Sequence, residues 1–252
     1  MAMEFIVENI HNEIIKPSSP TPLHLKVSEL SLLDQMTPTV FVPLIFFYPN
    51  DDNNDFAKAE ARSQLLKRSL SETLTRFYPF AGRIISCSSI ECNDEGVDFV
   101  ETRVNCRLQD ILKNPVGESL AKLLPSQMGS KTKPFLLVKV NIFECGGMAI
   151  GISFWHKVAD LSTMKLFIKT WAAMAQGYSS EVVFPDLTTI PSLFPPLDFP
   201  VNAKEMDPLI QLPKIGSRRL VFDASKISTL KAQAASRDVP QPTRVEAVAA
   251  LI

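Results

Sequence analysis

Cysteine and histidine are scarce in this 252-residue sequence, and their spacing argues against a metal site. No two cysteines form a CxxC pair, and no histidine stands at zinc-ligand spacing from a cysteine. We therefore expect no zinc site, and free thiols fit a reducing cytoplasm. The residues concerned are Cys87, Cys92, Cys106, Cys145, His11, His24 and His156.

Long hydrophobic runs and an excess of one charge are also missing. The longest apolar stretch, Val40 to Tyr48, is interrupted by Pro43 and is far shorter than the roughly 20 residues of a membrane helix. The N-terminus has no basic segment followed by an apolar run, so no secretory signal is visible. Lys and Arg number 26 against 27 Asp and Glu, which gives no electrostatic reason for a nucleic-acid or membrane partner. These features predict a soluble cytoplasmic protein.

Glycine is sparse, with 9 residues against 19 prolines, which favours stiff irregular segments over flexible linkers. Many prolines fall between residues 184 and 215, where no hydrophobic period is sustained. We interpret this stretch as an extended connector that contains a domain boundary. The resulting division is residues 1–183, a connector over 184–217, and the beginning of a second domain over 218–252.

Hydrophobic periodicity predicts a mixed α/β fold. Residues 148–155 are apolar almost throughout, which is typical of a strand in the middle of a sheet with both faces covered. The segment between Cys92 and Glu101 suggests a hairpin with its turn at Asn93 to Gly96, and residues 115–133 suggest a loop. The predicted strands are 25–30, 40–48, 135–143, 148–155 and 218–222, and the predicted helices are 56–77, 161–176 and 224–236.

The last segment opens with TRVE, Thr243 to Glu246, a capping box that predicts another helix. Its apolar positions are still in helical register at Ile252, without a glycine cap or a basic last turn. We therefore expect the polypeptide to continue in nature, or a second chain to supply the remainder.

The strongest chemical candidate is HKVAD, His156 to Asp160. His156 follows a buried strand and precedes a helix, a position where ligand crevices form in α/β sheets. Histidine can serve there as a general base toward a hydroxyl, because neutral imidazole is well populated at cellular pH. The alternative, a buried histidine bonded to a loop carbonyl, stays open at this point. Asp160 stands where a helix N-cap belongs, which favours a structural role.

Nucleophilic alternatives are weaker. Ser153 precedes His156 by three residues in a strand, so the two side chains point to opposite faces. The sequence has no GxSxG elbow, and Cys145 beside two glycines is more typical of an inert buried thiol. A hydrolase that uses His156 with serine or cysteine is therefore not favoured.

Seven segments, in order along the chain, together resemble the plant BAHD acyl-CoA-dependent acyltransferases, and among them the alkaloid-acetylating branch. The order and the extent of the match make it specific, whereas HxxxD alone would not be. The segments are SPTP (Ser19 to Pro22), LSLLDQ (Leu30 to Gln35), FYPFAGR (Phe77 to Arg83), CNDEGVDFVE (Cys92 to Glu101), IFECGG (Ile142 to Gly147), HKVAD (His156 to Asp160) and RRLVFDASKISTLKAQA (Arg218 to Ala234).

The resemblance implies a two-domain CoA-dependent acyltransferase fold with a channel between the halves. Acyl-CoA, with acetyl-CoA the expected donor, would enter from one side and an alkaloid or other specialised-metabolite alcohol from the other. His156 would be the general base for direct attack on the thioester, without an acyl-enzyme, a metal or a bound cofactor; acyl-CoA would be a co-substrate. Asp160 would point away from the channel and pair with an arginine. From position alone, Thr39, Phe41 and Trp155 are expected to contact the acceptor.

Two departures from the family pattern are visible. Leu161 follows Asp160 where the family usually has glycine, and this side chain is expected to narrow the channel or to reshape the start of the helix. The DFGWG motif of the second half is not in this sequence, so the resemblance covers the N-terminal domain, the connector and the start of the second domain. The C-terminal half of the same enzyme is thus an expected partner. The alternative is a truncated, non-catalytic paralogue that binds metabolites or another protein.

Overall fold

The computed structural model describes residues 4–50, 56–126, 134–178, 185–197 and 219–252, and these fall into two compact units, 4–197 and 219–252. The domain limits expected after residues 183 and 217 lie outside the described residues. The strands are β1 Val7–Ile15, β2 Val27–Glu29, β3 Phe41–Tyr48, β4 Arg83–Ile84, β5 Ser89–Glu91, β6 Val97–Val104, β7 Leu136–Phe143 and β8 Met148–Trp155. The α-helices are α1 Leu32–Met36, α2 Phe56–Arg76, α3 Leu108–Lys113, α4 Gly117–Ala121, α5 Leu161–Ala175, α6 Thr189–Leu193, α7 Ala224–Ala234 and α8 Arg244–Ala249.

The first unit is built on a five-stranded sheet in the order β1-β6-β7-β8-β3. The β6–β7 pair is parallel and the other pairs are antiparallel, so the sheet is mixed. A second, three-stranded sheet has the order β2-β5-β4. The predicted mixed α/β fold is confirmed, and β8, predicted to be central, pairs with β7 on one side and β3 on the other.

One face of the large sheet packs against α2 and α5. Phe167 of α5 is fully buried and its ring makes edge-on contacts with the rings of Phe77, Phe80 and Phe154, at centroid distances of 5.2 to 5.5 Å. Such aromatic pairs add to the stabilisation from buried area. This cluster packs α5 against β8. These are the two elements that flank the segment containing His156, with β8 before it and α5 after it.

The opposite face of the sheet has a smaller apolar cluster around Phe143, with α3, α4 and the N-terminal Phe5. It covers the part of the sheet near Val104 and Ala149. The two clusters together explain why β7 and β8 are buried on both faces.

Several sequence expectations are wrong in the described residues. Cys92 to Glu101 is not a hairpin, because β5 belongs to the small sheet and β6 to the large one. The turn between them passes through Asp94 and Gly96, both at positive φ, and leads the chain from one sheet to the other. The expected strand 218–222 is not formed over residues 219–222, which pair with no other strand in the described part of the chain. The expected loop 115–133 contains the short helix α4.

The other periodic segments match their predictions closely. The helices predicted at 56–77, 161–176 and 224–236 form as α2, α5 and α7, and the strands predicted at 40–48, 135–143 and 148–155 form as β3, β7 and β8. The strand predicted at 25–30 forms only over Val27–Glu29, behind a short 3-10 helix, Leu23–Leu25. The edge strand β1 was not predicted at all.

In the second unit, both helices begin at side-chain caps. Asp223 accepts a hydrogen bond from the Lys226 amide, and Thr243 with Glu246 forms the predicted capping box at the start of α8. Among the described residues of the whole chain, no helix has the length and apolarity needed to cross a bilayer.

Helix α2 allows a matched test of the core. Leu74 is 0% exposed and Leu65 is 48% exposed on the same helix, so replacing each with alanine makes the same chemical change in two environments. We expect Leu74→Ala to lower the free energy of unfolding by about 3 kcal/mol, because a buried leucine leaves a cavity. Leu65→Ala is expected to cost less than about 1 kcal/mol. Urea unfolding of both variants measures the difference, and equal losses would contradict this packing of α2.

Candidate active site

The ends of two neighbouring strands form the site. Antiparallel pairing of β3 with β8 puts Phe41 opposite Trp155. One residue further, the amide of His156 donates a hydrogen bond of 2.9 Å to the carbonyl of Val40. Sequence-predicted site residues from distant parts of the chain, Thr39, Phe41, Trp155 and His156, thus lie at the same end of the sheet.

Aromatic packing supports this strand end. The ring of Trp155 stacks on Phe135 with 5.2 Å between centroids and 9° between planes. The Trp155 amide also donates to the Phe135 carbonyl at 2.8 Å. Trp155 and Phe41 are half-buried and Thr39 is exposed, so all three have surface available to a ligand. Whether they contact an acceptor stays a prediction.

His156 is half-buried at the first position after β8, in a turn that Val158 closes by donating its amide to the Trp155 carbonyl. The Nδ1 atom of His156 is buried and has no hydrogen-bond partner among the described residues. The alternative of a histidine held by a loop carbonyl is therefore not realised at Nδ1. Leaving a buried polar atom unpaired costs free energy, and a catalytic role is one explanation for such an atom.

Asp160 is the N-cap of α5. Its Oδ1 atom accepts hydrogen bonds from the Thr163 amide at 2.7 Å and from the Thr163 hydroxyl at 2.6 Å. The negative charge also lies at the positive end of the helix dipole. The cap fixes where α5 begins and hence the length of the turn that carries His156. Leu161, the first residue of α5, is exposed, and its effect on a channel stays a prediction, as does an arginine partner for Asp160.

Two residues that sequence reasoning did not single out anchor the His156 turn. Lys157 donates a hydrogen bond of 2.9 Å from Nζ to the carbonyl of Gln35, at the end of α1. Burial lowers the pKa of Lys157, while the nearby charges of Asp34 and Cys87 act in the opposite direction. The turn is therefore tied to α1 as well as to β3.

Gln35 also holds the connector. Its buried side chain accepts from the Leu197 amide through Oε1 and donates to the Leu197 carbonyl through Nε2, both at 3.0 Å. A second link runs from the Leu32 amide to the Phe194 carbonyl at 2.9 Å. The position of Gln35 in LSLLDQ was the only available signal, since its partner lies far along the chain.

Cys145 lies in the turn that joins β7 to β8, at the opposite end of β8 from His156, and Cys106 lies close to this turn. Cys145 accepts a 3.5 Å hydrogen bond from the Leu108 amide through Sγ. Burial, followed by the charges of Asp110 and Glu144, raises the pKa of the Cys106 thiol to about 11. A protonated thiol is a poor nucleophile. Within the described ranges, no three His, Cys, Asp or Glu side chains are grouped so that they could hold a metal ion.

Comparison with known proteins adds to this geometry. Residues 5–252 match the family model described as the Transferase family. The chain belongs to the BAHD transferase family. The crystal structure of vinorine synthase, a protein of Rauvolfia serpentina, is similar to this BAHD chain with a TM-score of 0.77 and 40% identity, covering 97% of this chain and 59% of that one.

Two named relatives also match nearly the whole of this BAHD chain, but only part of their own length. Stemmadenine O-acetyltransferase of Catharanthus roseus is 42% identical over 252 residues, which are 96% of this chain and 58% of that protein. Limonoid 1-O-acetyltransferase of Citrus sinensis is 39% identical over 259 residues, 98% of this chain and 58% of that protein. The BAHD chain thus spans little more than half the length of the curated relatives it matches.

Proposed function

We propose that the protein containing this chain is an O-acyltransferase that moves an acyl group from acyl-CoA to the hydroxyl of a small molecule. The observation that carries the proposal is the position of His156 at the shared end of β3 and β8, with Nδ1 unbonded among the described residues and half-buried aromatic side chains beside it. Membership of the BAHD family supports the same reaction class.

In the proposed mechanism, a neutral His156 accepts the proton of the acceptor hydroxyl while the oxygen attacks the thioester carbonyl. The tetrahedral intermediate then expels the CoA thiolate, which takes the proton from the imidazolium. No acyl-enzyme is formed, and neither a metal nor a bound cofactor takes part. The products are an ester and free CoA.

The surrounding residues position the base rather than react. Asp160 sets the start of α5 through its hydrogen bonds to Thr163, and Lys157 ties the turn to the Gln35 carbonyl. Together they hold the imidazole in place while the acceptor binds, which lowers the entropic cost of reaching the transition state. Thr39, Phe41 and Trp155 are proposed to contact the acceptor from the neighbouring strand ends.

The substrates are proposed from the relatives. Both named relatives are O-acetyltransferases, which favours acetyl-CoA as the donor. One is named for a limonoid, and the family branch that the motifs resemble acetylates alkaloids, so a polycyclic specialised-metabolite alcohol is the proposed acceptor. We place the reaction in the cytoplasm, with the C-terminal half of the enzyme completing the site. No observation on the described residues favours the non-catalytic alternative.

The test is an assay of thiol release from acetyl-CoA by the complete polypeptide that carries this sequence. Polycyclic alkaloid and limonoid alcohols serve as acceptors, and the same compounds with the hydroxyl methylated are matched controls. We expect acceptor-dependent release of free CoA, with the acetyl ester detected by mass spectrometry. Release at the same rate with the methylated compounds would show thioester hydrolysis and contradict the proposal.

A further inference from the structure

A cavity of about 620 Å³ lies on the face of the large sheet away from α2 and α5. It opens over strands β1, β6 and β7. The His156 site lies toward the opposite edge of the same sheet, where β8 ends beside β3. None of the described residues that line the cavity is one of the site residues Thr39, Phe41, Trp155 and His156. The cavity has no part in the mechanism proposed above.

The segment that follows α4 builds one wall of the cavity. Gly151 of β8 lets this segment lie directly on the sheet, since a Cβ atom there would stand 2.5 Å from the Leu123 carbonyl oxygen. Asn141 donates to that same carbonyl at 2.9 Å, and Lys139 donates from Nζ to the Lys122 carbonyl at 2.7 Å. The segment is thereby held over β7 and β8, and the cavity lies beside it over β1 and β6.

The strand register places polar groups in rows on the cavity floor. Asn12 of β1 is paired with Val100 of β6, and Val100 is paired in turn with Lys139 of β7. In the next row, Asn9 is paired with Thr102. A bulge between Asn9 and His11 keeps both asparagines on this face, because a bulge shifts the alternation of the strand. The floor therefore presents amide groups beside an ammonium group.

The charge of the cavity is of one sign. Two lysines, Lys122 and Lys139, line it, and none of its described lining residues is acidic. Lys139 is half-buried, and burial lowers its pKa with no compensating carboxylate. Lys122 lies over the ring of Phe5, at 5.1 Å from the centroid. The Lys139 ammonium group uses one of its three N–H donors for the Lys122 carbonyl. In a partly desolvated environment, an anion that accepts a hydrogen bond from another N–H stabilises this charge.

The remaining wall is apolar. Hydrophobic surface comes from Val7 at the start of β1, Phe5 just before it, Val100 on the floor and Pro125 on the covering segment. Ligand sites of small molecules combine such walls with a few polar groups that fix orientation, in volumes of about 300 to 1,000 Å³. A bare inorganic ion would leave most of this surface unused.

We infer that this cavity binds an amphiphilic organic anion, a molecule with one carboxylate or phosphate group and an aromatic or aliphatic body. The anionic group takes hydrogen bonds from Lys139 and Asn12, and the apolar body packs against Phe5 and Val7. The site is separate from the proposed acyl-transfer site, so its occupation does not require the reaction.

Equilibrium dialysis of the full chain with phenyl phosphate and with benzoate tests the inference. Phenol, which lacks the charge, and inorganic phosphate, which lacks the ring, are the matched probes. We expect saturable binding of at least one aromatic anion, about tenfold or more tighter than that of phenol or inorganic phosphate, since hydrogen bonds to charged groups have this magnitude. The tighter of phenyl phosphate and benzoate identifies the anionic group.

Variants locate the site. Lys139→Met keeps an unbranched side chain but removes the ammonium group, and it is expected to weaken binding of the preferred anion about tenfold. Asn12→Ala, on exposed β1, is expected to weaken it several-fold. Lys169→Met removes an exposed lysine from α5 on the other face and should leave binding unchanged. Unfolding temperatures establish that each variant is folded. Binding that is equally tight for phenol, or unchanged in both cavity variants, overturns the inference.

Discussion

Replacing His156 with alanine is expected to lower the rate of acyl transfer by about a hundredfold to ten-thousandfold, the range that a general base contributes. The physical reason is that the neighbouring groups are not available as bases. Thr39, Phe41 and Trp155 bring no basic side chain. Lys157 donates to the Gln35 carbonyl, and Asp160 caps α5 through its hydrogen bonds from Thr163. The loss should appear in kcat more than in the KM for acetyl-CoA, because the imidazole acts in the transition state.

The control is His24→Ala, which removes an exposed histidine from the 3-10 helix Leu23–Leu25. This variant should keep the parent rate and the parent unfolding temperature. The rate of thiol release in the complete polypeptide, measured for both variants, decides the matter. A His156→Ala protein that folds normally and keeps most of its rate excludes His156 as the base, even if the protein is a transferase.

Replacing Lys67 with methionine is expected to lower the free energy of unfolding by about 3 to 5 kcal/mol, the cost of breaking a buried ion pair. Lys67 of α2 is buried, lies 2.5 Å from a carboxylate oxygen of Glu101 in β6 and 3.0 Å from Glu13 in β1, and has the ring of Phe99 below its ammonium group. Without Lys67, the buried Glu101 carboxylate still accepts the hydrogen bond from the Ser63 hydroxyl but has no positive charge beside it from Lys67.

Arg68→Met is the matched control on the next residue of α2. Arg68 pairs with Glu72 one turn away, on the exposed side of the helix, and such a pair contributes less than about 0.5 kcal/mol. Urea unfolding compares the two variants. The double variant Lys67→Met, Glu101→Leu should recover much of the loss, because it removes both buried charges. Equal small losses in the two single variants would show that the network contributes little.

The same network predicts a response to alkaline pH. Burial by itself lowers the pKa of Lys67, but hydrogen bonds to Glu101 and Glu13 and their charges raise it above its ordinary value of 10.5. A group whose pKa is raised by folding binds its proton more tightly in the folded state. Its contribution to stability is therefore complete below pH 10.5 and is lost as the pH rises through the raised pKa. Lys67→Met should abolish this part of the alkaline response.

Elements with a clear hydrophobic period could be predicted from the sequence. Helices α2 and α5 show apolar residues at helical spacing, and β8 is apolar at nearly every position because both its faces are covered. Local signals also located the caps at Asp160 and Thr243. These features depend on residues that are close together in the sequence.

Strand partners could not be predicted, because they depend on distant residues. The run from Cys92 to Glu101 has local hairpin character, yet β5 finds partners in β2 and β4 while β6 lies between β1 and β7. Edge strand β1 was missed because its side chains are mostly exposed and mixed in character, so it shows no alternation.

The candidate site divides in the same way. The position of His156 after a buried strand could be predicted from the apolar run of β8. The residues that surround the His156 turn could not, because they come from distant parts of the chain. The hydrogen bond from Lys157 to Gln35, and that from Gln35 to Leu197, join segments that no periodicity relates. The cavity over β1 and β6 depends on the same kind of distant relation, since Gly151 and Asn141 admit a segment that follows α4.

The register of β3 on β8 has a consequence for folding kinetics. Phe41 and Trp155 are neighbours in space but are separated by roughly 110 residues of chain. Contacts of such long sequence separation slow folding, because the chain loses the entropy of loop closure before the contact contributes any favourable free energy. The strand end that presents His156 therefore exists only after the long-range pairing is complete. On a ribosome, β3 leaves the exit tunnel well before its partner β8, so during that interval its unpaired edges are open to misassociation and to chaperone binding.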